Sequence, residues 1–219
     1  DWCRDMYETH MKLDMQLLDA VWDAGYHFDE VFWYDDMGYK NNQFFSVKTY
    51  REMDKPYHKA AADWAHEKGA KVRMHSCGDV NPFVPELIEI GVDALNPLEV
   101  KAGMNPVALK QKYGDKLVFH GGINAVLWSK PDEIRAEIER VVPVMKQGGG
   151  YIFASDHSIP DNISLDNFKL VLETLRREGI PVAMVADGLA ESFRNVYRGL
   201  GLESYFARRI YSSDVGVEK

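Results

Sequence analysis

Residues 71–78 read KVRMHSCG: a short strand-like run, KVRMH, whose last residue opens a polar turn of histidine, serine, cysteine and glycine. The same design recurs on either side. Val31–Asp36 (VFWYDD), Asp93–Asn96 (DALN), Leu117–His120 (LVFH) and Tyr151–Ala154 (YIFA) are all brief apolar runs that meet polar residues at their ends. Between them lie helical patterns. Residues 5–24 carry apolar positions at helical spacing, and residues 49–68 start at Thr49 with Glu52 three positions on, a capping-box signature. Pro82–Ile90 is closed by Gly91, 105–113 by Gly114, and 164–178 runs from Ser164 to Gly179. The stretch 131–147 opens on Pro131 and closes on three glycines, 148–150, which also permit a sharp entry into the next strand. Strands alternating with helices at this spacing predict parallel strands joined by crossover helices. No glycine-rich phosphate fingerprint follows a strand, which leaves a dinucleotide fold little support. The polar strand ends decide for part of a (β/α) barrel of TIM type over residues 1–178. In that fold such ends converge on one face and build the site.

The bulk numbers agree and exclude some functions. The chain has 219 residues, 46% hydrophobic and 27% charged, with a formal net charge of −8. That is ordinary globular composition. An acidic chain argues against nucleic acid or an anionic membrane as the main partner. No segment approaches the roughly 20 apolar residues of a membrane span. Two cysteines, Cys3 and Cys77, make no disulfide framework and fit a reducing cytoplasm. The chain starts at Asp1 and not Met, so the true N-terminus is expected to be missing.

His75 and Cys77 carry the sharpest chemistry. Residues i and i+2 of a strand point the same way, so one imidazole and one thiolate reach a common metal ion. Zinc suits that mixed pair and needs about three protein ligands with one position open. His157, Glu99 and Asp156 are the candidates to complete the set. The plainer reading is a hydrogen-bonded core histidine and a small buried thiol. Of Asp35 and Asp36, neighbours that point to opposite sides, at most one faces a pocket, as acid–base group or hydrogen-bond acceptor. Their plainer role is a cap or a solvated loop. Asn96 precedes Pro97 and Glu99 at another strand end and is a substrate-binding candidate. His120 with Gly121 and Gly122 joins a titratable ring to backbone that permits close approach, by substrate or simply in a tight turn. The aromatic group Phe32, Trp33, Tyr34, Phe44 and Phe45 reads as core, with some of it lining a pocket wall.

The runs HSCGDV, LNPLE, LVFHGGI and GGGYIFASDHSIPDNISLDNF, in that order and spacing, resemble the uroporphyrinogen decarboxylase superfamily, most of all its cobalamin-linked methyltransferases. The resemblance covers about residues 1–178. It implies a (β/α)8 barrel of which this is the C-terminal part, with an N-terminal half absent from the chain. It further implies zinc on His75, Cys77 and a later cysteine. This sequence has no cysteine near 154–160, and superposition puts His157 there, with Asp156 as the other option. Zinc would act as a Lewis acid, and a methyl group would pass between a small-molecule donor or acceptor and a corrinoid on a partner protein. His120, Glu99 and Asp35 or Asp36 would position substrate or support the ligands. The alternatives are a metal-free uroporphyrinogen decarboxylase of porphyrin biosynthesis, or a non-catalytic truncated scaffold.

Residues 179–219 read differently. Ile180–Ala186 (IPVAMVA) is a new apolar strand followed by Asp187 and Gly188, a helix, and GLESYFARRIYSSDVGVEK. This resembles part of a haloacid-dehalogenase-type hydrolase, with Lys219 as its late lysine. Ala186 or Asp187 stands where that family has Ser or Thr. The expectation is a short additional α/β segment, either a truncated second domain or a fusion, with the final elements of the barrel as the plainer reading.

Overall fold

The computed structural model describes residues 2–186 and 189–215. They form two compact units that divide at 123/124, 144/145 and 157/158. Asp1, Asp187, Gly188 and Lys219, which bear on the expectations above, lie outside the described residues.

The first unit holds a five-stranded parallel sheet. Its strands are β1 (Glu30–Tyr34), β4 (Lys71–His75), β5 (Ala94–Asn96), β6 (Val118–His120) and β7 (Tyr151–Ile152), in the order β1-β4-β5-β6-β7. A two-stranded hairpin, β2 (Gly38–Tyr39) with β3 (Asn42–Gln43), follows β1. Around the sheet run α1 (Trp2–Asp23), α2 (Val47–Met53), α3 (Lys55–Glu67), α4 (Val84–Glu89) and α5 (Pro106–Tyr113). The register aligns Tyr34 with His75 and His75 with Asn96, so the polar ends of three adjacent strands lie level. Burial of Val72, Met74, Leu95 and Phe119 on the helix-facing side holds the strands together. This is part of a (β/α)8 barrel, as the strand ends predict.

Several boundaries differ from the sequence reading. The helix expected over 49–68 is two helices that break at Asp54. Pro56 has no N–H for the carbonyl four residues back, so one continuous ladder cannot form. The cap is Ser46, whose Oγ accepts from Thr49 N–H at 3.1 Å, and not Thr49. Asp35 and Asp36 lie past the end of β1, and the hairpin was not foreseen. Ser164 does cap its helix, accepting from Asn167 N–H, and residues 148–150 all take positive φ.

The second unit contains α6 (Pro131–Met145), most of which belongs to it, α7 (Leu165–Arg177), α8 (Ala190–Gly199) and a parallel pair, β8 (Ala183–Ala186) with β9 (Arg208–Tyr211). Met184, Ala190 and Tyr211 form a small core with Phe193, Tyr197 and Phe206. The sequence boundary near Gly179 falls inside this unit, in the turn between α7 and β8. Among the described residues no helix is long and apolar enough to cross a membrane.

Candidate metal centre

β4 delivers His75 and then Cys77 to one side of the sheet, as the two-residue period requires. His75 Nε2 lies 3.2 Å from Cys77 Sγ and 3.7 Å from Asp36 Oδ1. Among the described residues, Asp36, His75 and Cys77 are the group whose ligand-type atoms gather within 4.8 Å of one another. The fit to zinc can be tested on this geometry. Two donors on a common tetrahedral zinc stand about 3.4–3.6 Å apart, from bond lengths of about 2.0–2.3 Å. The nitrogen–sulfur distance of 3.2 Å is short of that span and the nitrogen–oxygen distance of 3.7 Å just beyond it, so each donor would shift by a few tenths of an ångström to hold the ion. The tautomer fits as well. His75 Nδ1 lies 2.7 Å from Asn96 Oδ1, and the Asn96 amide nitrogen donates to the His120 carbonyl at 3.3 Å. With the amide so oriented, Nδ1–H is the donor and the Nε2 lone pair is turned toward Cys77 and Asp36.

The electrostatics favour a cation here. Burial pushes the Cys77 thiol up to about 11, and the carboxylates of Asp36 and Glu99 push in the same direction, against Lys101. Surroundings that penalise a thiolate are those a divalent cation relieves, since it displaces the thiol proton. The loop is tightly held. Cys77 N–H donates to Asp36 Oδ1 at 2.8 Å, Gly78 N–H to Glu99 Oε2 at 2.7 Å, and Met37 N–H to Ser76 Oγ at 2.9 Å. The hairpin closes over it, with Asp79 N–H on the Lys40 carbonyl. A Cβ on Gly78 would sit 2.2 Å from the Gly38 carbonyl carbon, so both positions need glycine.

The other expected site residues divide. Glu99 holds the backbone of the Cys77 loop and lies outside the three-residue group. His157 is exposed and also lies outside it. Asp156 is fully buried and accepts from Val100 N–H at 2.8 Å. Asp36, just past the end of β1, is the residue whose ligand-type atom gathers with those of His75 and Cys77. Asp35 turns to the helix side, where it accepts from His58 Nε2–H at 2.8 Å, and His58 Nδ1 meets the Tyr50 hydroxyl at 3.1 Å. Asn96 orients His75. Gly121 and Gly122 owe their close approach to the protein itself. A Cβ on Gly121 would meet the Pro97 carbonyl at 2.0 Å, and one on Gly122 would meet Pro106 at 2.9 Å. His120 sits on the inner face of β6, and its pKa is lowered to about 4 by burial, then by the charges of Arg73 and His75. Phe32 and Tyr34 line that face, Tyr34 with its ring 4.4 Å from that of His75, while Trp33 faces α3. Arg73 was missed; its place two residues before His75 is the signal that could have found it.

A groove of about 1070 Å³ lies between α1, β1 and α3 and is lined in part by Met6, Tyr7, Met11, Phe28 and Trp64. It is apolar and does not contain the metal-type group.

Fold and site together define a partial (β/α)8 barrel with a cluster of sulfur, nitrogen and oxygen donors at its strand ends. The uroporphyrinogen decarboxylase (URO-D) family model matches residues 14–178, and the chain belongs to that family. Two curated relatives carry the name uroporphyrinogen decarboxylase. That of Vesicomyosocius okutanii is 30% identical over 66 residues, covering 30% of this chain and 19% of that protein. That of Chlorobium phaeobacteroides is 26% identical over 106 residues, covering 47% and 29%. The chain thus spans less than a third of the length of the relatives it matches. A solved methyltransferase from Methanosarcina mazei shares the fold, with TM-score 0.54 at 20% identity, over 70% of this chain and 43% of that one.

Proposed function

We propose that this chain carries the metal-binding part of a zinc-dependent methyltransferase, which moves a methyl group between a small molecule and a corrinoid on a separate protein. The carrying observation is the donor set of Asp36, His75 and Cys77, with the His75 ring turned by Asn96 so that Nε2 faces the other two. Bound there, zinc would supply Lewis acidity, to polarise the oxygen of a methyl ether or to lower the pKa of a thiol acceptor. The protein's own part is to hold the donors. Asn96 fixes the His75 tautomer, Glu99 and Ser76 fix the loop, and the hairpin covers it. His120 on the same inner face is a substrate-positioning group. Three protein ligands leave a position for substrate, the pattern of catalytic zinc.

A second reading, decarboxylation of uroporphyrinogen without a metal, is favoured by the names of the curated relatives. Metal content separates the two. Elemental analysis of the purified chain should give about one zinc per chain, lost in His75→Ala and Asp36→Asn and retained in His157→Ala. A metal-free wild-type chain under zinc-replete expression would overturn the methyltransferase reading. Loss in His157→Ala would restore the histidine as a ligand.

A further inference from the structure

Arg73 lies on the inner face of β4, two residues before His75. Its guanidinium is held on three sides. Nε and one terminal nitrogen lie 2.8 and 2.6 Å from Glu30 Oε1. The group stacks over the Phe32 ring at 4.2 Å from the centroid. The other terminal nitrogen donates to His120 Nδ1 at 2.8 Å. Arginine carries donors only, so His120 Nδ1 is the acceptor and the ring proton of the neutral imidazole is on Nε2. No described residue accepts a hydrogen bond from that Nε2–H, and the atom is not among the buried polar atoms left without a partner. It is therefore open on the inner face. The ring has no free lone pair left. It can donate a hydrogen bond, but it cannot take a proton while Arg73 stays in place.

We propose that Arg73 is a positioning residue that fixes His120 as a neutral Nε2–H donor for an oxygen acceptor on the substrate. The substrate-positioning role of His120 is thereby specified as hydrogen-bond donation through Nε2–H. Glu30 and Phe32 hold the guanidinium in one orientation, and β5 offers only Ala94 between Arg73 and β6 in register, so the arginine can reach across. The inference rests on the inner face being the substrate face. It does not depend on which metal, if any, is bound.

Long-range ¹H–¹⁵N correlation of the histidine rings tests it, with the His120 signals assigned by their absence in His120→Gln. The wild type should show the Nε2–H form at pH 7. Arg73→Met should add a substantial Nδ1–H population, and Arg73→Lys, which keeps a donor, should restore the Nε2–H form. An Nδ1–H ring in the wild type overturns the proposal whether or not Arg73→Met folds, as does an unchanged tautomer in a folded Arg73→Met. Acetate is the oxygen-acceptor probe. It should move the His120 Nε2 resonance more than chloride at equal ionic strength, and an equal response removes the donor role. None of these readouts requires zinc, so their failure would leave the metal centre standing, and a metal-free protein would leave them unaffected.

Discussion

Asp35 and Asp36 are neighbours in the chain, yet they end on opposite sides of the sheet and belong to different kinds of polar cluster. On the helix side, Asp35 joins His58 and Tyr50, and nearby Glu86 accepts from Arg51 at 2.6 Å and from Lys55 at 2.7 Å. Asp35 and Glu86 each meet partners of complementary kind. On the inner side, Asp36, His75 and Cys77 bring ligand-type atoms together, and the carboxylates of Asp36 and Glu99 add to burial in raising the Cys77 pKa, against Lys101. The first arrangement is what a fold needs to bury polar groups. The second is costly unless a ligand completes it. Position alone does not separate the two clusters here; the kinds of group brought together do.

The contrast can be broken by substitution, starting with the largest effect. Cys77→Ser should lower zinc affinity about a hundredfold or more in a chelator competition, while Cys3→Ser leaves it unchanged. Equal affinities would remove Cys77 from the site. On the opposite side, Glu86→Gln should cost about 2 kcal/mol of unfolding free energy at pH 7 without altering zinc affinity. Hydrogen bonds from Arg51 and then Lys55 hold the Glu86 carboxyl down at about 2, although Arg51 is exposed and screened. Because the folded pKa is depressed, the stabilisation is present above the ordinary carboxylate value and is lost as pH falls toward 2. Denaturation curves of wild type and variant should therefore converge between about pH 4.5 and 2. A constant gap would mean the loss is one of packing. Asn96→Ala should weaken zinc about tenfold by freeing the His75 ring, measured in the same competition. An effect as large as that of Cys77→Ser would mean that Asn96 does more than orient the ring. Asp35→Asn should cost about 1 kcal/mol in stability and change zinc affinity by less than about threefold, since its hydrogen bond runs to His58. A larger change in affinity would erase the distinction between the two faces.

Much of the fold was legible because it depends on local pattern. The five strands, their parallel order and the capping of α7 by Ser164 follow from alternation and single residues. So does the rule that one of two adjacent aspartates faces the site. The rest depends on contacts distant in sequence. Nothing local says that Asn96 turns His75 or that Glu99 is occupied by the Gly78 amide. Nothing local says that Arg73 spans β5 to reach His120. His157 was placed by superposition on a family pattern, whereas the gathering of Asp36 with His75 and Cys77 depends on β1 lying beside β4. The break at Asp54 was readable from Pro56 and was overridden by a capping signature that belongs to Ser46.

Gly38 and Gly78 are forty positions apart and touch backbone to backbone, each leaving no room for a side chain on the other. A saturation library would show two empty columns at these positions, and no double substitution would fill both, because the collision is between main chains and not between shapes that can be exchanged. The hairpin and the cysteine loop therefore pack as one piece. A graft that moves the candidate metal centre to another scaffold has to carry residues 37–44 with it.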